Sequence, residues 1–142
     1  MQQDKYFFDS NVWLYLFLEK GSRKSVIVKQ YIEASVIKNQ IVISWQVINE
    51  VCINLLKKGF TEQQVLSIVE WLYKIATIQD FKIEMLLKAS SLREQYSISY
   101  WDSLIVSAAL ESNCCLLYSE DMHDGLKIGS LTIRNIFADR IN

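Results

Sequence analysis

The sequence predicts an α/β domain of three layers, in which helices cover both faces of a central parallel sheet. Short apolar segments of aromatic and β-branched residues, typical of buried strands, alternate with longer segments of helical periodicity. That alternation favours parallel strands joined by crossover helices. The chain has 142 residues, of which 51% are hydrophobic, enough for one sizeable core. We therefore expect residues 1–142 to form a single domain.

The first half of the chain contains two predicted strands and three predicted helices. Ser22 and Ser44 are suitable caps for two of the helices, because a serine hydroxyl can accept a hydrogen bond from a free N–H at the helix start. Gly59 is a suitable stop for the helix that follows Ser44. The predicted order is a strand at 5–8, a turn at 9–11, helices at 12–18 and 24–37, a strand at 41–43 and a helix at 45–58.

The second half begins with Thr61, which opens a helix-start signature followed by apolar residues at helical spacing. Ser99 opens another such signature, in which Asp102 holds the third position of a capping box. The predicted order is a helix at 61–75, a short strand at 76–78, helices at 83–96 and 99–112, and strands at 115–118 and 131–134.

Composition excludes several classes of protein. The chain lacks the pattern of a signal peptide, and no apolar run reaches the roughly 18 residues of a membrane span, so we expect a cytoplasmic protein. Cys52, Cys114 and Cys115 are odd in number and lie in apolar segments, which favours reduced thiols over disulfides or a zinc site. A net charge of −1 does not indicate a nucleic-acid-binding protein. The aromatic residues are expected mostly in the core rather than on a surface that stacks nucleic-acid bases.

Acidic residues follow several predicted strands. Asp9 comes directly after the first strand, Glu50 lies early in the helix after the second, and strand 115–118 ends in a loop that contains Asp121. Asp102 lies early in helix 99–112 on an otherwise apolar face, where an acid needs a partner. Ligands of α/β sheets bind outside the carboxyl ends of the strands, and carboxylates suit Mg²⁺ or Mn²⁺. If the four acids meet, they form a metal site.

Three of these acids also have an ordinary structural explanation. Asp9 is placed in a turn or at a helix cap, Asp102 is placed to cap a helix, and Glu50 taken alone would be a solvated helix residue. Asn11, two residues after Asp9, is placed to hydrogen-bond the Asp9 carboxylate and hold its orientation.

Other polar residues of the loop after strand 115–118 are expected at the surface. Glu120 and Asp124 are interpreted as solvated acids, and Asp124 with Gly125 is a turn signal. His123 is the only histidine, and no nucleophile accompanies it, so we interpret it as a surface residue rather than a general base.

Four short segments together resemble a known family, the PIN-domain ribonucleases, and particularly the VapC-like toxins of bacterial toxin–antitoxin pairs. The segments are 8–11, 49–51, 100–105 and 118–125, and their order and spacing span essentially the whole chain. The resemblance implies a PIN-like fold, with Asp9, Glu50, Asp102 and Asp121 as a catalytic quartet that binds Mg²⁺ or Mn²⁺. It further implies that Asn11 and Ser119 support the quartet and that the substrate is RNA.

Three other functions compete with this interpretation. A phosphoryl-transfer hydrolase of the haloacid-dehalogenase type requires a second aspartate where this chain has Asn11. A receiver-like phosphoacceptor module requires a lysine after the last strand, where Ile133 is followed by Arg134. A non-catalytic RNA-binding or interaction domain of the same fold would not need the four acids.

Two apolar segments predict protein partners. Residues 12–18 are all apolar, and residues 65–73 nearly so. One helix cannot turn seven consecutive apolar residues toward one sheet, because the core-facing stripe covers only part of its circumference. Neighbouring helices are one way to bury the remainder. The alternative is a homodimer interface together with a groove for an antitoxin helix, a pairing that the VapC resemblance also implies.

Overall fold

The structure, a computed structural model, describes residues 3–138. Over that range strands and helices alternate as the sequence predicts. In chain order the elements are β1 (Tyr6–Phe8), α1 (Ser10–Leu18), α2 (Arg23–Ile37), β2 (Ile41–Ser44), α3 (Trp45–Lys57), α4 (Glu62–Ile75), β3 (Thr77–Gln79), α5 (Ile83–Gln95), α6 (Tyr100–Glu111), β4 (Leu116–Tyr118), β5 (Lys127–Ile128) and β6 (Leu131–Arg134).

The strands form one sheet in the order β3-β2-β1-β4-β6-β5. Neighbouring strands are parallel except β5 and β6, which are antiparallel. Strand β1 lies inside the sheet, where fully buried Phe7 pairs with Val42 of β2 on one side and with Leu117 of β4 on the other. The predicted three-layer α/β fold is confirmed.

The antiparallel strand β5 is the part of the sheet that the sequence does not predict. It has two residues, Lys127–Ile128, and it joins β6 through a tight turn in which Gly129 has φ +58°. A strand of two residues is too short to show an alternating pattern. The glycine that allows the turn is therefore the only local signal.

Helix α1 begins earlier than predicted. The sequence predicts a turn at residues 9–11, but Ser10 and Asn11 lie in the first turn of the helix, because the Asp9 carboxylate caps it by accepting from the Ser10 N–H at 2.7 Å. The buried Trp13 indole N–H donates to the Phe8 carbonyl at 3.0 Å. These two bonds fix the start of α1 to the end of β1.

The other predicted helix starts and stops are confirmed. Ser22 and Ser44 each accept a hydrogen bond from the N–H three residues later. Thr61 and Gln64 form both bonds of a capping box. Gly59 follows α3 with φ +91°, a conformation that glycine adopts at little cost.

Helix α1 packs against both α2 and α3. Val12 and Trp13 are buried, and residues 14–18 are half-buried. Neighbouring helices therefore cover much of the apolar run 12–18, which is the first of the two ways of burying it that the sequence leaves open. The homodimer interface stays a prediction. In α4, by contrast, Leu66 and Tyr73 are more than half exposed.

The cysteines are free thiols, as predicted. Cys114 is buried, whereas Cys52 and Cys115 are half-buried. Burial, with a smaller contribution from Cys115, raises the pKa of Cys114 to about 12, so this thiol is unreactive at neutral pH. None of the helices within residues 3–138 is both long enough and apolar enough to cross a membrane.

Candidate metal centre

A cavity of about 250 Å³ opens beside the carboxyl ends of β1 and β4 and the first turns of α1, α3 and α6. All four acids of the predicted quartet line it. They arrive from four different places in the chain: the cap of α1, the second turn of α3, the first turn of α6 and the loop after β4. The fold thus brings together carboxylates that are up to 112 positions apart in sequence, as Asp9 and Asp121 are.

Asp9 is the most enclosed of these acids, with only 6% of its surface exposed. Its Oδ1 accepts from the Ser10 N–H at 2.7 Å, and its Oδ2 accepts from the Ser119 hydroxyl at 2.9 Å. Burial raises the pKa of Asp9, the bonds from Ser119 and Ser10 oppose that rise, and the charges of Asp102 and Asp121 add to it. Both oxygens are therefore oriented, and ionisation of the carboxyl is costly.

Glu50 lies on the flank of α3 and is half-buried. Gln46, one turn earlier, donates to Glu50 Oε1 at 3.2 Å, and the Ser10 hydroxyl lies 3.5 Å from Glu50 Oε2. Burial raises the pKa of Glu50, the charge of Asp9 adds to that rise, the bonds from Gln46 and Ser10 oppose it, and Asp102 makes a smaller contribution. Glu50 is thus electrostatically coupled to the same cavity and is not a freely solvated helix residue.

Asp102 occupies the third position of α6, where its N–H donates to the Ser99 hydroxyl at 3.1 Å. A complete capping box would also have the Asp102 carboxylate accept from the Ser99 N–H. Within the part of the chain that the structure describes, Ser99 and Asp102 form only the first of these bonds. The Asp102 carboxylate faces the cavity instead.

Asn11 holds a different carboxylate from the one predicted. Its side-chain N–H₂ donates to Asp121 Oδ2 at 3.0 Å and lies 3.5 Å from the Ser119 hydroxyl. The Glu120 N–H lies 3.4 Å from the Asn11 carbonyl. Because Asn11 is in the first turn of α1, its side chain faces the loop after β4, and Ser119 rather than Asn11 bonds to Asp9.

Glu120 is not the solvated acid that the sequence predicts. Tyr15 donates to its Oε1 at 2.7 Å, and Lys24 donates to its Oε2 and also to the Tyr15 hydroxyl. Burial acts to raise the pKa of Glu120, but the bonds from Lys24 and Tyr15 outweigh it, and the pKa falls below its usual value. The network fastens the loop that carries Asp121 to α1 and α2.

The remaining polar residues of this loop lie away from the cavity. Asp124 accepts from the Asn135 N–H at 2.9 Å, which joins the loop to the chain after β6. Gly125 has φ +88°, as its turn requires. His123 is exposed and does not line the cavity, as the interpretation of it as a surface residue expects.

Several residues of the cavity wall are not predicted from the sequence. Gln46 and Asn54 lie one turn before and one turn after Glu50, so helical spacing alone could have placed them beside it. Trp101 also lines the cavity and is 63% exposed, in contrast to the expectation that aromatic residues are mostly in the core.

The donor set fits a hydrated divalent cation. Among residues 3–138, those that line the cavity include four carboxylates and no basic side chain. Within residues 3–138, no three side chains of His, Cys, Asp or Glu are close enough to ligate one ion together. Mg²⁺ retains several waters and binds through one or two carboxylates, so direct ligation by three is not required. A cation would also offset the repulsion among the acids.

Comparison with solved structures identifies similar folds. A toxin–antitoxin complex from Klebsiella pneumoniae is 22% identical with a TM-score of 0.73, and the alignment covers 94% of this chain and 98% of that one. VapBC2 from Rickettsia felis, bound to a DNA fragment from its promoter, is 21% identical with a TM-score of 0.70 and coverages of 92% and 97%. VapC20 from Mycobacterium tuberculosis, a toxin that cleaves the sarcin–ricin loop, is 14% identical with a TM-score of 0.66 and coverages of 82% and 90%.

Sequence comparison assigns the family. No curated protein sequence matches the chain significantly. The profile of the PIN domain matches residues 6–123, a segment that contains all four acids of the cavity. This chain therefore belongs to the PIN-domain family.

Proposed function

We propose that this protein is a Mg²⁺- or Mn²⁺-dependent endoribonuclease and that it acts as the toxin of a toxin–antitoxin pair. The observation that carries the proposal is the cavity that Asp9, Glu50, Asp102 and Asp121 line together, with no basic side chain from the described part of the chain in its wall. A binding domain would have no need to gather four mutually repelling carboxylates. Membership of the PIN-domain family and the fold shared with VapC toxins also support it.

The residues of the cavity have distinct roles in this proposal. Asp9 and Asp121 would hold the cation directly, because both are oriented by donors from α1 and from the end of β4. Glu50 and Asp102 would act through water. The cation supplies Lewis-acid stabilisation of the charge that develops on the phosphodiester during in-line attack. Ser119 and Asn11 keep the two carboxylates in place before substrate arrives, which lowers the reorganisation needed for the reaction.

Incubation of the purified protein with total RNA tests this function. We expect cleavage with Mg²⁺ or Mn²⁺ and none with a chelator or with the Asp102→Asn variant. Asp124→Asn is the matched control, because Asp124 belongs to the same acidic region but does not line the cavity. Cleavage that survives both the chelator and Asp102→Asn would show that the activity belongs to a contaminant or to another mechanism.

A groove between α1, α2 and α4 supports the proposed antitoxin partner. Its volume is about 680 Å³. Apolar and charged side chains both line it. The apolar ones are Leu16, Phe17, Val26, Ile32, Phe60, Ile68 and Trp71, and the charged ones are Lys20, Lys29 and Glu33. Such a groove suits the apolar face of an amphipathic helix. The similar structures from Klebsiella pneumoniae and Rickettsia felis are toxin–antitoxin complexes, which is consistent with a partner of this kind.

Adjacent residues of α4 provide a test of the groove. Ser67 and Leu66 are both exposed, but only Ser67 lines the groove. We expect Ser67→Trp to block co-purification of the product of the neighbouring small reading frame, while Leu66→Trp does not. A variant that binds the partner should be inhibited by it, and a variant that does not bind should cleave RNA in its presence. Equal binding by both variants would place the partner elsewhere.

We also propose a homodimer, with its apolar contact on α5 rather than on α1. Ile83 and Leu87 are each 66% exposed, and the neighbouring Phe81 is 51% exposed. Light scattering should find a dimer that Leu87→Glu dissociates. Ile37→Glu is the control, because Ile37 is 82% exposed at the end of a different helix. A wild-type monomer at high micromolar concentration would refute the dimer.

A further inference from the structure

Trp101 combines two properties that a core residue does not have. It is 63% exposed, and it lines the cavity that holds the four carboxylates. It also directly precedes Asp102 in the first turn of α6. Exposing a large indole to water is unfavourable, so this position is not explained by packing within the chain.

One ring contact involves the Trp101 indole, and other contacts brace the first turn of α6 that carries it. Its ring packs edge-to-face against Tyr100, with centroids 5.2 Å apart and planes at 85°. The Arg93 guanidinium of α5 lies 4.6 Å from the centre of the Tyr100 ring and donates to the Ser103 hydroxyl at 2.7 Å. Gln46 of α3 lies 3.4 Å from the Trp101 carbonyl. The first turn of α6, which carries Trp101 beside the cavity, is thus held by contacts from α3 and α5 before a ligand binds.

The electrostatics of the site favour a non-ionic contact with nucleic acid. Lysine and arginine commonly supply the affinity for phosphates, but none of those between residues 3 and 138 lines this cavity, and the net charge of the chain is −1. Stacking of a base on an aromatic ring requires no positive charge and accepts any base. An exposed indole beside the carboxylates is suited to that contact.

We propose that Trp101 stacks on the base of a nucleotide that flanks the scissile phosphate and so positions single-stranded RNA in the cavity. The inference rests on the proposed ribonuclease function. Trp101 is then a positioning residue and a source of preference for single strands, because the bases of a duplex are already stacked on each other. Recognition of unpaired, splayed bases on aromatic side chains is a common mode in RNA-binding proteins.

Binding is measured separately from cleavage, by fluorescence anisotropy of a short labelled single-stranded oligoribonucleotide in the Asp102→Asn background. We expect Trp101→Ala to weaken binding about tenfold, a typical effect of removing one stacking side chain, and Trp101→Phe to retain most of the affinity. The dependence of binding on salt should not change, because no phosphate contact is removed. Binding of the duplex form of the same oligonucleotide should be unaffected.

Trp45 provides the matched control. It is 57% exposed in the first turn of α3, near the cavity, but it does not line it. We expect Trp45→Ala to bind like its parent. Equal losses for Trp45→Ala and Trp101→Ala, or no loss for Trp101→Ala, would overturn the proposal. A change of oligomeric state in Trp101→Ala, measured by light scattering, would assign Trp101 to a protein interface and would also overturn it.

Kinetics separate this inference from the proposed function. With Asp102 intact, Trp101→Ala should raise KM about tenfold with little change in kcat, as expected when an interaction common to ground and transition states is removed. A fall in kcat at unchanged KM would contradict the positioning role. If no variant and no wild-type protein cleaves RNA, the ribonuclease proposal fails, whereas a tenfold difference in binding would still support stacking on Trp101.

Discussion

Replacement of Ser119 by alanine tests how strongly one hydrogen bond favours the ionised form of a buried carboxyl group. Ser119 is fully buried, and its hydroxyl donates to Asp9 Oδ2 at 2.9 Å. A hydrogen bond to a charged group contributes about 1.5–3 kcal/mol, and one between neutral groups about 0.5–1.5 kcal/mol. We therefore expect Ser119→Ala to lower the free energy of unfolding by about 1.5–3 kcal/mol at pH values where Asp9 is ionised.

The loss should shrink in acid. The pKa of Asp9 is already raised by burial, and the Ser119 bond is the largest influence that opposes the rise. Without that bond the pKa of Asp9 in the folded state rises further. The additional loss of unfolding free energy in Ser119→Ala therefore develops as pH increases from the ordinary pKa of aspartate, about 4, through the folded-state pKa. Below that window Asp9 is protonated in both states, and only the smaller neutral contribution of the bond is lost.

Urea unfolding at a series of pH values from about 7 toward about 4 measures this dependence. Ser107→Ala is the control, because Ser107 is equally buried but donates to the neutral Met85 carbonyl, at 2.7 Å. The Ser107→Ala variant should lose about 0.5–1.5 kcal/mol of unfolding free energy at every pH. If the two variants lose the same stability across the series, Ser119 does not stabilise an ionised Asp9 and the reasoning is refuted.

Three further predictions concern the cavity. Removal of any one of the four acids should abolish cleavage, and circular dichroism should still show a folded protein, because each ionised acid repels the others. The variants are Asp9→Asn, Glu50→Gln, Asp102→Asn and Asp121→Asn. Wild-type turnover by two of them would contradict the quartet. His123→Ala should retain most activity, because the exposed imidazole does not line the cavity. A loss of activity as large as that of Asp102→Asn would show that His123 takes part in the reaction. Mg²⁺ or Mn²⁺ at about one hundred times its Kd should stabilise the wild-type fold by about 2.7 kcal/mol, measured as a rise in Tm; an unchanged Tm at millimolar metal would favour a non-catalytic domain.

The parts of the fold that depend on local chemistry could be predicted from the sequence. Ser22, Ser44 and Thr61 begin helices because a side-chain oxygen satisfies free N–H groups within three residues. Six predicted helices and five predicted strands are present in the described range, with boundaries shifted by at most two residues. Helix α1 differs most at its start, because Asp9 itself caps it.

Contacts between distant segments could not be predicted in the same way. The four acids could be proposed because each follows a strand or opens a helix, and such positions meet at one edge of a parallel sheet. The hydrogen-bond donor that each acid receives depends on how α1 crosses the loop after β4. Asn11 therefore bonds to Asp121 rather than to Asp9, and Glu120 pairs with Lys24, 96 positions away. Neither pairing has a signature in local sequence.

The two outer strands of the sheet are very short. Strand β3 has three residues and β5 has two, so each edge offers few unpaired N–H and C=O groups to another chain. Long, flat edges promote association by strand addition, and short edges suppress it. The chain is 51% hydrophobic, so long exposed edges would favour fibrous self-assembly. With short edges, other proteins are recognised through the outer faces of the helices rather than through the sheet.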